Sequence, residues 1–187
     1  MTQATINHAD TVLRHIEAAA ETQFLPIIGP LKGKYLAEEV RRVNPMHVLE
    51  VGTLIGYSAI FMGKEMQADS EIVTIEIHRN EAEEAANNIQ KADIPAKVKI
   101  ITGNALDIIP TLQGPFDLAF IDAEKTEYLK YLKFMEPKLH HGTVVFADNA
   151  GIFAKQMADY LDYVRRGKYE SRYIQVEDDG VEISIKM

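Results

Sequence analysis

The sequence predicts an α/β fold in which a seven-stranded, mostly parallel sheet carries helices on both faces and ends in an antiparallel hairpin. Three observations predict it. From His47 onward, short runs rich in Val and Ile alternate with segments of helical period. This is the pattern of repeated βα units, which pack as a parallel sheet with right-handed crossovers. The run Val48-Leu49-Glu50-Val51 stops at Gly52, and a second glycine, Gly56, precedes the next helix, as where a buried strand turns into a helix and a ligand approaches the backbone. Near the C-terminus, Asp178-Asp179-Gly180 separates two further strand-like runs, which is a hairpin signal.

Taken in order, Val12, Leu13, Ile16, Ala20 and Phe24 recur at helical spacing, predicting a first helix over Asn7 to Gln23 with Asn7 as its N-cap. Pro26 to Pro30 breaks it, and a second helix runs from Lys32 to Val43, stopped before Asn44-Pro45. These two helices, within residues 1–45, flank the sheet of a single domain spanning 1–187. Strand one is His47 to Gly52, followed by a helix over Ile55 to Gln67. Strand two, Glu71 to Ile77, leads to an Ala- and Glu-rich helix over Asn80 to Lys91. Strand three is Val98 to Thr102, with a short helix Ala105 to Leu112. Strand four is Phe116 to Asp122, with a helix over Thr126 to Leu139 whose apolar stripe is Tyr128, Leu129, Leu132 and Met135. Strand five is Thr143 to Asp148, and a last helix spans Ala154 to Arg166. Strands near Tyr169 to Val176 and Val181 to Lys186 form the closing hairpin.

Composition narrows the chemistry. There are no cysteines, which excludes disulfides, thiolate metal sites and cysteine nucleophiles. No apolar run reaches membrane-spanning length, so no membrane partner is expected. The polar stretch Met1 to Asp10 lacks a signal-peptide core, making a cytoplasmic location the default expectation. A net charge of −8 argues against broad binding to nucleic acid.

In open parallel sheets, ligands bind outside the carboxyl ends of the strands, so the strand-end residues carry the functional information. Around Gly52 the dinucleotide fingerprint fails, because Leu54 and Tyr57 stand where glycines would admit a pyrophosphate. Glu50 would also repel a phosphate in a half-dry cleft. S-adenosylmethionine has no phosphate, and its sulfonium and amino groups would attract that carboxylate. An ordinary βα turn with glycines for packing is the alternative. Glu76 ends strand two, where an acid grips the two ribose hydroxyls in nucleotide-binding folds, including those that bind NAD. Asp122 and Asp148-Asn149 end strands four and five. Two carboxylates and an amide carbonyl form an all-oxygen set suited to Mg²⁺, or to Mn²⁺ or Ca²⁺, and poor for zinc. Taken singly, Asp122 reads as a helix cap and Asp148-Asn149 as a turn; together at adjacent strand ends they favour a metal. Lys125, three residues after Asp122, is placed to act as general base toward a hydroxyl, or else faces solvent. The six histidines show no metal-helix spacing and read as surface or core residues.

Read together, Leu49 to Ser58, Phe120 to Lys125 with Tyr128, and Ala147-Asp148-Asn149 resemble the cation-dependent O-methyltransferases, the family of the catechol and caffeoyl-CoA enzymes. Gly103 to Pro110 resembles its adenine-side segment and Gly29 to Lys34 its pre-strand loop. The resemblance runs from Pro26 to the C-terminus. It implies a Rossmann-like class I methyltransferase fold and metal ligation by Asp122, Asp148 and Asn149. It also implies Lys125 as the catalytic base, and S-adenosylmethionine held by Ile28, Glu50, Gly52, Tyr57, Ser58, Glu76, Ala105 and Asp122. The acceptor implied is a small phenolic or catechol-like molecule, and the assembly a homodimer through the N-terminal helices. Ala123 and Glu124 stand where the animal catechol enzyme carries ring-clamping aromatics, implying a more open site. Two other functions fit the same fold. A tRNA-directed O-methyltransferase would use the basic cluster Arg165, Arg166, Lys168 and Arg172, which otherwise reads as a solvated helix end. A non-catalytic S-adenosylmethionine-binding protein would have no use for the metal set or Lys125.

Overall fold

The computed structural model describes residues 8–187; the N-cap expected at Asn7 lies outside the described residues. Seven strands form one sheet: β1 (His47–Val51), β2 (Glu71–Glu76), β3 (Lys97–Thr102), β4 (Phe116–Ile121), β5 (Leu139–Ala147), β6 (Tyr169–Val176) and β7 (Asp179–Lys186). Their order is β3-β2-β1-β4-β5-β7-β6. The first five run parallel, and β7 pairs antiparallel with both β5 and β6. From β1 the chain steps outward through β2 to β3, then crosses back to β4 on the other side of β1. That reversal is the topological switch point, where neighbouring loops part and leave a crevice.

Strand alternation divides the core into two layers. Leu49, Val51, Ala119, Ile121, Val145 and Ala147 face one side. There they pack with Ile109 behind α5 (Ala105–Ile108), with Tyr128 and Leu132 of α6 (Tyr128–Met135), and with Tyr160 and Leu161 of α7 (Ala158–Val164). Tyr128 meets Tyr160 edge-on at 5.7 Å. Val48, Ile72, Leu118, Phe120, Val144 and Phe146 face the other side. They lie beneath α1 (His8–Ala20), α2 (Gly29–Val43) and α3 (Tyr57–Gly63). Glu50 shares this second face by the same alternation, which puts a carboxylate inside an apolar layer.

Several boundaries depart from expectation for local reasons. The helix after β1 starts at Tyr57, not Ile55, because Leu54 (φ 47°) and Gly56 (φ 86°) are left-handed and hold the chain in a turn. α2 starts at Gly29 with Pro30 in its first turn, where the missing proline N–H costs nothing. α4 (Arg79–Ala92) runs one residue beyond its expected bounds at each end, and β3 begins one residue earlier, at Lys97. The helix after β3 ends in a 3₁₀ turn, Ile109–Thr111, and α6 carries 3₁₀ turns at Lys125–Glu127 and Glu136–Lys138. β5 begins earlier, at Leu139, and α7 begins at Ala158 rather than Ala154. The hairpin turn is Glu177-Asp178, since Val176 pairs with Asp179; Glu177 takes the left-handed conformation, and Asp179 opens β7. Among the described residues, no helix is long and apolar enough to cross a membrane.

Candidate active site

The ends of β1, β2, β4 and β5 open into one cavity of about 890 Å³, at the upper end of the range for small-molecule sites. Ile28, Gly52, Tyr57, Ser58, Glu76, Ala105, Asp122, Lys125, Asp148 and Asn149 all line it. The residues singled out at separate strand ends therefore share one enclosure. Glu50 is the exception: it is fully buried on the α3 side of β1 and does not reach the cavity surface.

At the β1–β2 end, Glu76 is fixed by two backbone donors: Leu54 N–H to Oε2 at 2.8 Å and His78 N–H to Oε1 at 2.9 Å. A carboxylate anchored on both oxygens keeps its remaining lone pairs aimed for a pair of hydroxyls. Asn104 accepts the Leu106 N–H at 2.8 Å and caps α5, which seats Ala105 at the cavity wall. The Tyr57 hydroxyl turns toward α1 and donates to Glu17 at 2.6 Å. Gly52 lines the cavity and is also constrained from the adjacent strand. Its φ is 97°, and a Cβ there would lie 2.0 Å from the Asp122 carbonyl oxygen. The glycine is required by the neighbouring strand's backbone, which brings Asp122 hard against the β1 turn.

Glu50 has both carboxylate oxygens buried without a hydrogen-bond partner. Burial pushes its pKa up to about 7, while Ser58 and Thr74 ease the charge only partly. The Thr74 hydroxyl is already shared with Thr53 at 2.5 Å.

At the β4–β5 end, each expected metal ligand has one donor-held group and one oxygen left over. Asp122 Oδ1 accepts from Lys125 Nζ at 2.8 Å. Asp148 Oδ1 accepts the Asn149 N–H at 2.7 Å and pairs with Lys32 Nζ at 2.6 Å. Asn149 Nδ2 donates to Asp179 Oδ2 at 2.8 Å. Among the described residues, Asp122 Oδ2, Asp148 Oδ2 and Asn149 Oδ1 remain unbonded on side chains that line the cavity. Three such oxygens, each steered by outer hydrogen bonds, fit a hard divalent cation with positions to spare for water and substrate. The electrostatics agree. Burial, and then repulsion from Asp122, raise the Asp148 pKa despite the Lys32 ammonium. Lys125 Nζ also donates to Tyr128 Oη at 3.0 Å and lies 5.8 Å from the centre of the Phe153 ring. Burial keeps the Tyr128 hydroxyl protonated well beyond its usual range.

Two charged residues of this cluster carried no functional role in the sequence reading. Lys32 bridges Asp148 and Asp179, and the two carboxylates outweigh its burial so that its pKa rises. Asp179 is held down to about 2, since the donors around it overcome its own burial. Phe24, Ile152 and Phe153 complete the cavity rim, and Ala123 and Glu124 also line it. The basic cluster near α7 is largely neutralised: Arg165 pairs with Glu182, Arg166 with Asp162 and Arg172 with Glu39.

The chain matches the family model for O-methyltransferases over residues 7–184. It is 35% identical over 145 residues to a catechol O-methyltransferase of Niastella koreensis, covering 75% of this chain and 66% of that one. It is 34% identical over 149 residues to a catechol O-methyltransferase of Mycobacterium tuberculosis, covering 78% and 68%. The chain thus spans about two thirds of the length of these curated relatives. Among solved structures it resembles the O-methyltransferase TomG of Streptomyces achromogenes, involved in tomaymycin synthesis and determined in complex with SAM. The TM-score is 0.83 at 26% identity, covering 100% of this chain and 92% of that one. The chain belongs to the S-adenosylmethionine-dependent O-methyltransferase family that includes the catechol and caffeoyl-CoA enzymes.

Proposed function

We propose that this protein is a divalent-cation-dependent enzyme that moves a methyl group from S-adenosylmethionine to one hydroxyl of a small catechol-like acceptor. The observation that carries the reading is the trio of unbonded oxygens, Asp122 Oδ2, Asp148 Oδ2 and Asn149 Oδ1, beside the Lys125 ammonium in the same cavity. When bound, S-adenosylmethionine supplies an electrophilic methyl on sulfur, and Mg²⁺ supplies a Lewis acid that orients and acidifies a vicinal diol.

The chain's own residues supply the rest. Glu76 holds the ribose hydroxyls, and the wall formed by Ile28, Ala105 and the Gly52 turn encloses the adenosine and the methionine end. Glu50, beneath that turn with two orphaned oxygens, provides the negative charge that favours a cationic ligand above it. Lys125 Nζ, tethered between Asp122 and Tyr128, would take the proton of the reacting hydroxyl as the neutral amine, the form that a neighbouring divalent cation favours. Phe153 and Ile152 supply apolar surface at that end of the cavity. Much of the acceleration then comes from holding two substrates in line. The catechol names of the relatives support the acceptor class.

The test is transfer of a labelled methyl group to catechol, caffeate and unmodified tRNA, with and without EDTA. Methylated catechol or caffeate, lost with EDTA and restored by Mg²⁺, is the expected result. Turnover that survives chelation would refute the metal assignment, and labelled tRNA with unlabelled phenols would refute the acceptor.

A further inference from the structure

Asn149 differs from the two aspartates beside it in one respect: the ends of its side chain are not equivalent. Only the carbonyl oxygen can ligate a cation, so rotation of the amide by half a turn would present two N–H groups instead. The chain therefore needs something that fixes which end points where.

Asp179 meets that need. Its Oδ2 lies 2.8 Å from Asn149 Nδ2. The reversed amide would set a carbonyl oxygen against a carboxylate oxygen, two acceptors with no proton between them. The Asp179 carboxylate is itself immobilised. Its Oδ1 accepts the Gly151 N–H at 3.2 Å and the Ile152 N–H at 3.1 Å. Its Oδ2 also takes Lys32 Nζ at 2.9 Å, and the Tyr173 hydroxyl donates to its carbonyl at 3.0 Å. The placement follows from topology, because β7 runs antiparallel beside β5 and brings its first residue alongside the residues that follow β5. Asp179 is not among the residues lining the cavity and stands behind Asn149.

Resting on the proposed metal site, we infer that Asp179 is a positioning residue: it turns the Asn149 amide so that its oxygen, and not its nitrogen, faces the cation. The hairpin strand thereby decides whether the third ligand exists. Asn149 sits at φ 60°, a conformation that Asn and Asp both tolerate, so the amide can be exchanged for a carboxylate without disturbing the backbone.

The experiment measures Mn²⁺ affinity by electron paramagnetic resonance on the full chain saturated with S-adenosylhomocysteine. Wild type, Asp179→Ala, Asn149→Asp and the double variant are compared. Asp179→Ala is expected to weaken Mn²⁺ by about tenfold or more, with S-adenosylhomocysteine affinity changed less than about twofold. The double variant should recover to near the wild-type affinity, since a carboxylate has no wrong end; a merely structural role for Asp179 predicts no such rescue. Should Asp179→Ala fail to fold, Asp179→Asn carries the same test, because an amide at 179 accepts either orientation of Asn149. Wild-type affinity in the Asp179 variants, or a double variant as weak as Asp179→Ala, overturns the inference while leaving the metal site intact. Absence of Mn²⁺ binding by the wild type overturns the metal site and the inference with it.

Discussion

Replacing Glu50 with Gln should change how stability depends on pH, and the size of the change follows from the structure. Glu50 is fully buried in an apolar layer with neither oxygen hydrogen-bonded. Its pKa stands at about 7 in the folded chain against an ordinary 4.5, which corresponds to about 3 kcal/mol. A folded-state pKa above the unfolded value means the contribution is intact below pH 4.5. It is lost as the pH rises through about 7. In the ligand-free protein, wild type should thus lose about 3 kcal/mol between pH 4.5 and 8 through this one group, roughly 10 °C of melting temperature for a domain this size. Glu50→Gln lacks that loss. Any fixed cost of burying the amide shifts its whole curve without altering the slope, so thermal melts at several pH values isolate the effect. S-adenosylmethionine should flatten the wild-type curve, because its cationic groups compensate the buried charge, and should stabilise Glu50→Gln much less. Parallel curves for the two ligand-free proteins from pH 4.5 to 8 would refute the assignment of an unpaired carboxylate at this position.

Asp148→Ala removes one of the three unbonded oxygens and should abolish metal-stimulated turnover while calorimetry still detects S-adenosylmethionine binding. Lys125→Met should lower kcat by about 10²–10⁴, with the Mn²⁺ and S-adenosylmethionine affinities largely retained. Gly52→Ala forces a Cβ to within 2.0 Å of the Asp122 carbonyl at a φ of 97°. It should cost about 3 kcal/mol or more, measured by urea unfolding, and should weaken Mn²⁺ binding as well, because the strand that yields carries Asp122.

The sheet was legible because buried strands announce themselves by composition and because βα repetition leaves few topologies. Once β4 and β5 are neighbours, Asp122 and Asp148 fall side by side without further information. The arrangement of the remaining charges was not legible. Lys32 and Asp179 are separated by 147 positions and meet only because α2 leans over the sheet end where β7 returns. Nothing in the local sequence of either marks the encounter. Asp179 also reads as part of a hairpin turn, and only the observed register moves the turn to Glu177-Asp178 and leaves Asp179 in the strand. The stretch from Ala154 to Met157 has helical propensity, yet it forms turns. The chain is held just upstream, where Asp179 takes the N–H groups of Gly151 and Ile152. Gly52 illustrates a different limit: the sequence points to its place in the cavity wall, but the close approach of the Asp122 carbonyl that also demands a glycine there is invisible in one dimension.

The charge balance of the crevice explains why these pieces belong together. Glu50, Glu76, Asp122 and Asp148 converge on the carboxyl ends of four adjacent strands, β2, β1, β4 and β5, and all but Asp122 are buried. Among the described residues, Lys32 and Lys125 are the cations paired with this set, both at the β4–β5 end. A site with that surplus of negative charge in a weakly solvated enclosure repels phosphate. It rewards a ligand that brings positive charge to each half. On the proposed function, a sulfonium with its ammonium would meet the need near Glu50, and a divalent cation would meet it between Asp122 and Asp148. The same carboxylates that are costly to hold close together would make both ligands favourable. On that reading, stability given up in the strand ends is recovered as binding there.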